Sequence, residues 1–247
     1  MNVSLYQAAA AMNAQARWQE LITQNLAGGN IPGFRKREVL FSAIQAGLDP
    51  AASGSVGSGY VMPAASAATN FQEGELRPTG QPLDFAIDGP GFFEVQLPNG
   101  NKAYTRDGEF QLNGLGQLTT KQGYLVMGDA GPIQTDPGSS DPLTVSATGE
   151  VSQGDQVRGK MHIVEFNQPN SLTSTGSGYF LADQPGVLPG LASVSSVRQG
   201  SLEASNTSPT AEMASLITAM RLFEANQKVL SMQDDRMGRV ISTLGGS

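Results

Sequence analysis

The residues with catalytic potential are few and scattered. The single His, His162, lies in the apolar alternation of residues 161–166, and Glu165 is the one acidic residue beside it. A catalytic triad needs a base that a carboxylate orients and that activates a nucleophile. The Ser residues do not lie in a nucleophile-elbow sequence. The chain has no Cys, so thiolate catalysis, disulfides and Cys-based zinc sites are excluded.

Several acidic residues share a short segment or lie beside a glycine. Asp84 and Asp88 are four residues apart, and Asp107, Asn113 and Asp129 each adjoin a Gly. Paired carboxylates can act as acid and base, but these residues also suit turns. The sequence contains neither an Asp-x-Asp-x-Asp-Gly calcium loop nor a Gly-rich phosphate loop. We therefore predict that the chain is not an enzyme and has no catalytic, cofactor-binding or metal site.

Charge and hydropathy narrow the classes of partner. The formal net charge of the 247 residues is -7, and the longest basic cluster is Arg35-Lys36-Arg37. An acidic chain is repelled by nucleic acid and by anionic lipid, so we expect no nucleic-acid partner. Residues 1–16 lack the pattern of a secretory signal. Because the apolar runs fall short of the ~20 residues that span a bilayer, we expect no membrane insertion.

The first of four segments, residues 1–34, is predicted to be an N-terminal helix followed by a Pro-Gly-Phe turn. Ala is abundant there, and apolar residues recur at steps of three and four, as one side of a helix requires. Pro32 lacks a backbone donor and Gly33 adopts unusual φ, so together they end the helix. The side chains predicted to serve self-assembly are Leu5, Met12, Ile22, Leu26 and Phe34.

The next two segments differ in composition. Residues 50–72 carry no charge and are rich in Ala, Ser and Gly, so residues 35–70 are predicted to be a flexible arm or linker. Residues 71–204 contain short β-favouring runs, such as 85–87 and 92–97, separated by Gly, Pro, Asn and Asp. Asn-Gly and Asp-Gly are strong hairpin signals. These residues are predicted to form an antiparallel β-rich domain.

The last segment, residues 205–247, is predicted to be a C-terminal coiled-coil helix. Capping residues precede Pro209, which suits a first helical turn, and Glu212 adds negative charge near the start. Beyond it, apolar residues alternate steps of three and four, as in a coiled coil. The side chains predicted to serve self-assembly are Met213, Leu216, Met220, Phe223, Leu230, Met237 and Ile241. A second apolar stripe, which includes Ile217, Leu222, Val229 and Met232, indicates contact with several helices at once.

The four segments together predict an α+β fold. The N- and C-terminal helices pair as a coiled coil, and the central antiparallel β-rich domain is carried beside them. The pattern alone leaves two possibilities for the apolar stripes of the helices. They are buried within one chain, or they are shared with neighbouring copies.

Three groups of residues resemble the signatures of one family. The first is Asn25-Leu26-Ala27 with Asn30-Ile31-Pro32-Gly33-Phe34; the second is residues 83–93 with residues 104–110; the third is Ser205-Asn206 with Glu212-Met213, Leu216-Ile217, Arg221 and Glu224-Ala225-Asn226. In this order and at both ends of the chain, they resemble the flagellar basal-body rod proteins of the proximal and distal type, which are related to hook proteins.

The resemblance implies a structural subunit of the bacterial flagellar rod that polymerises through its terminal helices and transmits torque for motility. It implies homo-oligomers, contacts with other rod and hook axial proteins, and type III export without a cleaved signal peptide. It also implies a periplasmic position in the basal body. The alternative is a secreted β-rich binding or carbohydrate-active module with helical appendages.

Overall fold

The computed structural model describes residues 3–46, 60–139 and 141–245, with side chains at 7–42, 63–139, 141–239 and 242–243. The chain divides into two compact units. The helical unit comprises Met1–Leu26, Arg37–Ala68 and Pro209–Ser247. The β-rich unit comprises Ala27–Lys36 and Thr69–Ser208. The described residues confirm an α+β fold with two α-helices and a central antiparallel β-rich domain.

The element bounds, in chain order, begin with helix α1 and end with helix α2. They are α1 Val3–Gly28, β1 Arg37–Ala46, β2 Tyr60–Thr69, β3 Leu76–Pro78, β4 Phe85–Asp88, β5 Phe92–Gln96, β6 Lys102–Thr105, β7 Phe110–Leu112, β8 Leu118–Thr120, β9 Leu125–Gly128, β10 Gly131–Pro132, β11 Leu143–Val145, β12 Glu150–Gln153, β13 Gln156–Lys160, β14 Ile163–Phe166, β15 Thr173–Gly176, β16 Tyr179–Leu181, β17 Pro189–Leu191, β18 Ser196–Gln199, β19 Ser201–Glu203 and α2 Pro209–Gly245. A short 3₁₀ helix, Pro169–Ser171, precedes β15.

The helices begin and end where the local sequence predicts. Helix α1 ends at Gly28, just before the Pro-Gly-Phe turn, and α2 begins at Pro209. The side of α1 that is buried carries Ala14, Leu21 and Ile22, at the spacing of a helical stripe. Propensity and pattern therefore agree along α1.

The helical unit also contains strands that the sequence did not predict. Strands β1 and β2 pair as a two-stranded sheet at the two ends of the segment predicted to be a linker, residues 35–70. The Phe41 ring lies edge-on to Trp18 of α1, with centroids 6.0 Å apart. The missed signal is the apolar, β-favouring part of β1 (Val-Leu-Phe at 39–41). Residues 47–59 lie outside the described part of the chain.

Two side-chain hydrogen bonds connect the helices within their unit. Asn25 Nδ2 donates to Glu212 Oε2 at 3.3 Å. Asn226 Nδ2 donates to Gln15 Oε1 at 2.8 Å. Because the residue nearer the end of α1 meets the residue nearer the start of α2, the two helices run antiparallel.

The β-rich unit is built on one large antiparallel sheet. Its main path runs β15-β16-β6-β5-β9-β8-β7; β14 also pairs with β5, β17 with β14, and β10 with β9. A three-stranded sheet, β11-β12-β13, and the pairs β18-β4 and β19-β3 complete the unit. The predicted runs at 85–87 and 92–97 are confirmed as β4 and β5. The β5–β6 turn depends on Gly100, whose φ is +83° and whose N–H donates to the Leu97 carbonyl at 2.9 Å.

The core of the β-rich unit consists of two apolar clusters. The larger one contains Phe85, Ile87, Phe93, Val95, Ala103, Phe110, Leu118, Val126, Ile133, Leu143, Val151, Met161, Ile163, Tyr179 and Val197. The smaller one contains Phe92, Tyr104, Val164, Phe166, Leu172, Phe180 and Val187. Phe92 and Phe93 are adjacent on β5 and point to opposite faces, so one strand supplies both clusters.

Candidate functional site

The side chains of α2 that are predicted to serve self-assembly differ in their exposure. Leu216, Phe223 and Leu230 are half-buried. Met213, Met220 and Met237 are exposed, at 54%, 51% and 46%. The side chain of Ile241 lies outside the described residues.

The predicted residues of the N-terminal segment are mostly inside the chain. Ile22 is buried in the helical unit and Phe34 in the β-rich unit. Met12 and Leu26 are half-buried, and the side chain of Leu5 is not among those described. Ile22 and Phe34 therefore pack within the chain.

The inward side of α2 keeps Leu216, Phe223 and Leu230 from the predicted stripe, but its other positions lie one residue earlier than predicted. Ala219 is fully buried where the prediction has Met220, and Asn226, seven residues further on, is half-buried. Two polar side chains explain this difference from the prediction. The hydrogen bonds of Glu212 and Asn226 to α1 turn this side of the helix inward, and a residue as small as Ala219 allows the helices to approach closely.

Seven large apolar side chains of α2 remain exposed, and we call them together the outer apolar surface. It consists of Met213, Ile217, Met220, Leu222, Val229, Met232 and Met237, all of them at least two-fifths exposed. Met213 and Met220 are seven residues apart and lie on one flank of the inward side. Leu222 and Val229 are also seven apart and lie on the other flank. Exposed large apolar side chains in this number on one helix indicate an interaction site.

A buried ionic group, the Glu203 cluster, lies in the β-rich unit and consists of Arg35, Arg106 and Glu203. Arg35 Nη1 donates to Glu203 Oε1 at 2.5 Å, and Arg106 Nη1 donates to Glu203 Oε2 at 3.0 Å. All three side chains are at most 2% exposed. Burial lowers the pKa of Arg106, and the adjacent Glu203 carboxylate opposes that shift. One carboxylate therefore compensates two buried guanidinium groups.

The chain after α1 is folded tightly onto this cluster. Gly33 has φ +64°, and its N–H donates to the Glu203 carbonyl at 2.7 Å. A Cβ at Gly33 would clash with the backbone of Arg106, and one at Gly28 would clash with the ring of Phe34. These two glycines are therefore required by close packing as well as by the turn.

Asn206 ties three further points of the same unit together. Its Oδ1 accepts the Lys36 N–H at 2.6 Å, and its Nδ2 donates to the carbonyls of Asn70 and Gln72, each at 2.9 Å. The Asn70 N–H donates to the Lys36 carbonyl at 2.8 Å. We call Asn206 and these three backbone partners the Asn206 clamp.

Asn25 plays a comparable local part in the helical unit. Its Oδ1 accepts the Arg37 N–H and its Nδ2 donates to the Arg37 carbonyl, both at 2.8 Å. A single side chain thus fixes the start of β1 against α1. Asn25 belongs to the Asn-Leu-Ala signature, for which the sequence alone offered no role.

The Glu203 cluster and the Asn206 clamp were missed by sequence reasoning. Arg106 and Asn206 lie in the quoted signatures, but Arg35 and Glu203 are separated by 168 positions. The available signal was weak. Glu203 is a single carboxylate within a short β-favouring run that adjoins Asn206.

The single histidine contacts carboxylates on both sides of its ring. His162 Nδ1 lies 2.9 Å from Asp129 Oδ1, and Nε2 lies 3.8 Å from Glu94 Oε2. Glu94 is buried and also lies 2.9 Å from Lys102 Nζ. Among the described residues, both ring nitrogens lie near carboxylates and not against a nucleophilic hydroxyl, so the geometry is not that of a triad.

Glu165, the acidic residue next to His162 in the apolar alternation, has a separate role. It accepts hydrogen bonds from the backbone N–H groups of Ser193, Val194 and Ser195 and from the Ser195 hydroxyl. Burial raises the pKa of Glu165, but these hydrogen bonds outweigh it and lower the pKa to about 2. Glu165 therefore fixes a loop.

The other acidic residues considered for chemistry are also held by separate partners. The Thr79 hydroxyl donates to Asp84 at 2.6 Å, and Arg198 Nη2 donates to Asp88 at 2.5 Å. Among the described residues, no group of three or more His, Cys, Asp or Glu side chains could hold a metal ion. In the same residues, no helix is both long enough and apolar enough to span a membrane.

Two parts of the chain match models of known protein families. Residues 86–153 match the family model of the flagellar hook protein FlgE/F/G D1 domain. Residues 198–243 match that of the flagellar basal body rod FlgEFG protein C-terminal region. The first match runs from β4 to the end of β12. The second includes the Glu203 cluster's carboxylate, Asn206 and most of α2.

Full-length relatives extend the match to almost the whole chain. The flagellar basal-body rod protein FlgF of Mesorhizobium japonicum is 33% identical and covers 99% of both chains. FlgG of Caulobacter vibrioides is 31% identical over 95% of this chain and 96% of its own. FlgF of Salmonella typhimurium is 30% identical over 100% of both.

These relationships define a class of structural protein of the flagellar axis. The chain belongs to the flagellar basal-body rod protein family. It is accordingly a structural protein of the basal body, and its role involves assembly with other axial proteins of the flagellum.

Proposed function

We propose that the chain polymerises with copies of itself and with neighbouring rod and hook axial proteins through its terminal helices. The observation that carries this proposal is the outer apolar surface of α2. Each of its seven side chains is between 42% and 54% exposed. Apolar surface of this extent on one helix is a cost in water and a source of affinity once a neighbour covers it.

The pairing of α1 with α2 is part of the proposal. We infer that the two helices form a short antiparallel coiled coil, supported by the hydrogen bonds Asn25–Glu212 and Asn226–Gln15. The predicted assembly residues on its inward side, such as Leu216 and Leu230, stabilise the pair. Those on the outward side, Met213 and Met220, meet adjoining subunits.

Covering the outer apolar surface would contribute substantially to assembly. Burying a Met, Leu or Ile side chain completely contributes about 1.5–3 kcal/mol, so a half-exposed one adds about 1 kcal/mol when covered. Seven such side chains contribute about 7 kcal/mol before the cost of association is subtracted. Many subunit contacts in series then share a twisting load, which is how the rod transmits torque for motility.

The export route and the location of the chain are also part of the proposal. We infer that the chain is exported by the flagellar type III apparatus without a cleaved signal peptide and forms the periplasmic part of the rod. The absence of Cys is compatible with an oxidising compartment, since mispaired disulfides cannot form. The structural role of the family supports the view that the chain does no catalysis.

Deletion of residues 211–247 tests the proposal. We expect the shortened chain to form no rod in a strain that lacks the native protein, as seen by electron microscopy of purified basal bodies and by loss of swimming. Normal motility of that strain would refute polymerisation through α2. It would instead favour the alternative, a secreted β-rich binding or carbohydrate-active module, whose ligand binding does not depend on the helix.

A further inference from the structure

The β-rich unit is connected to the rest of the chain at four places. The chain enters this unit at residues 27 and 69 and leaves it after residues 36 and 208. Any force carried along the backbone into the β-rich unit arrives through these four points. The hydrogen bonds around them decide whether each segment can shift on its own.

The side chain of Asn206 reaches three of these connections. It accepts the N–H of Lys36, at the first exit, and donates to the carbonyls of Asn70 and Gln72, at the second entry. Asn206 itself lies two residues before the last exit. Its backbone N–H donates to the Phe34 carbonyl at 3.3 Å, which adds a second bond to the first exit.

Glu203 adds further bonds to the segment that leads to the first exit. Gly33 donates its N–H to the Glu203 carbonyl at 2.7 Å, and Arg35 donates to the Glu203 carboxylate. Gly74 donates its N–H to the same carboxylate at 2.7 Å. Segments 33–36, 70–74 and 203–206 are thus bound to one another, although long stretches of sequence separate them.

Asn206 is better suited to a mutational test than the Glu203 cluster, because it is less buried. The Glu203 cluster is fully buried, so its loss would disturb folding. Asn206 is half-buried and lies outside both apolar core clusters. Its removal breaks three side-chain hydrogen bonds without opening a cavity in the core.

We propose that Asn206 is a positioning residue for rod assembly. Its amide holds the segments through which the chain enters and leaves the β-rich unit at a fixed spacing. This inference rests on the proposed assembly through the terminal helices. It adds that assembly requires the segments at residues 36 and 70–72 to be held together, and that one side chain does so.

The test compares Asn206→Ala with Asn113→Ala in the full-length chain. Asn113 is a matched control because its side chain also makes three hydrogen bonds, to Leu115 and Gln117, in the β7–β8 turn. Hydrogen exchange, resolved by residue, and rod assembly in a strain lacking the native protein are measured for both variants.

For Asn206→Ala we expect exchange of the Lys36 amide at least about tenfold faster than in the native chain. We expect unchanged exchange in β5 and β9 and loss of complete rods. Asn113→Ala should keep both the Lys36 protection and rod assembly. Asn206→Asp retains the acceptor and loses the donor, so it should keep the Lys36 amide protected and loosen residues 70–72.

Two results would overturn the proposal. One is unchanged exchange of the Lys36 amide in Asn206→Ala. The other is faster exchange together with normal rods, because the spacing would then be irrelevant to assembly. Replacing Met213 and Met220 by Gln separates this outcome from a failure of the proposed function. If that variant also builds normal rods, polymerisation through α2 is wrong; if only Asn206→Ala does, the positioning role alone is wrong.

Discussion

One flank of the outer apolar surface can be made polar without disturbing the helix. We predict that the double variant Met213→Gln/Met220→Gln remains folded and polymerises much less readily than the native chain. Gln has nearly the length of Met and a similar helix propensity, and both positions are more than half exposed. The stability of the folded monomer should therefore change little. The effect is confined to contacts that form on assembly.

The expected magnitude follows from exposure. About half of each Met side chain is still in water, so covering it in a neighbouring subunit contributes about 1 kcal/mol, or about 2 kcal/mol for the pair. A loss of about 2 kcal/mol corresponds to a change of about 30-fold in an equilibrium constant. The concentration at which polymer first forms should rise by this factor.

The assay is sedimentation of polymer over a series of total protein concentrations, with circular dichroism of the dilute chain to confirm equal helicity. Leu188→Gln/Leu191→Gln is the matched control, since these side chains are 72% and 75% exposed but lie in the β-rich unit. We expect the control to behave like the native chain. Equal thresholds for the α2 variant and the native chain would refute the assignment of the outer apolar surface to assembly.

Three further predictions concern the β-rich unit. Glu203→Gln removes the carboxylate charge that compensates two buried guanidinium groups. We therefore expect the free energy of unfolding to fall by about 3–5 kcal/mol and the melting temperature in a thermal scan to fall by about 10 °C. An unchanged melting temperature would contradict this. Gly33→Ala should cost more than Gly80→Ala, because both have positive φ but only Gly33 packs against the backbone of Arg106; equal losses in urea unfolding would show that packing there is loose. Burial raises the pKa of Asp107 to about 6. The folded state therefore binds more protons than the unfolded state between about pH 4 and pH 6. The free energy of unfolding falls by about 3 kcal/mol as the pH rises through that range. Asp107→Asn should abolish this fall and raise stability at pH 7; a fall of the same size in the variant would assign it to other groups.

The parts of the fold that sequence predicts well are those decided locally. Gly28 and Pro209 bound the helices because one lacks a side chain and the other lacks a donor. The β-rich runs are confirmed because turn residues separate them at short intervals. Strand β1 was missed although it is locally β-favouring, since the uncharged Ala-, Ser- and Gly-rich stretch that follows it dominated the interpretation.

The parts that sequence does not predict depend on partners far along the chain. Half of the inward positions of α2 lie one residue before the predicted ones, because Glu212 finds a donor and Asn226 an acceptor on α1, about 190 and 210 positions away. Apolar periodicity could not reveal that a polar pair would face inward. The Glu203 cluster was invisible for the same reason, since no local pattern marks a carboxylate whose partners are Arg35 and Arg106.

The two kinds of contact suit two different mechanical tasks. The outer apolar surface is rich in Met, whose unbranched side chain adapts to neighbours of differing shape, and apolar contacts are non-directional. The hydrogen bonds of Glu203 and Asn206 are directional and fail when their atoms shift by less than an ångström. The helical unit is therefore suited to contacts that vary between neighbouring subunits. The β-rich unit is suited to holding its own connecting segments at one spacing, as the assembly proposed above requires.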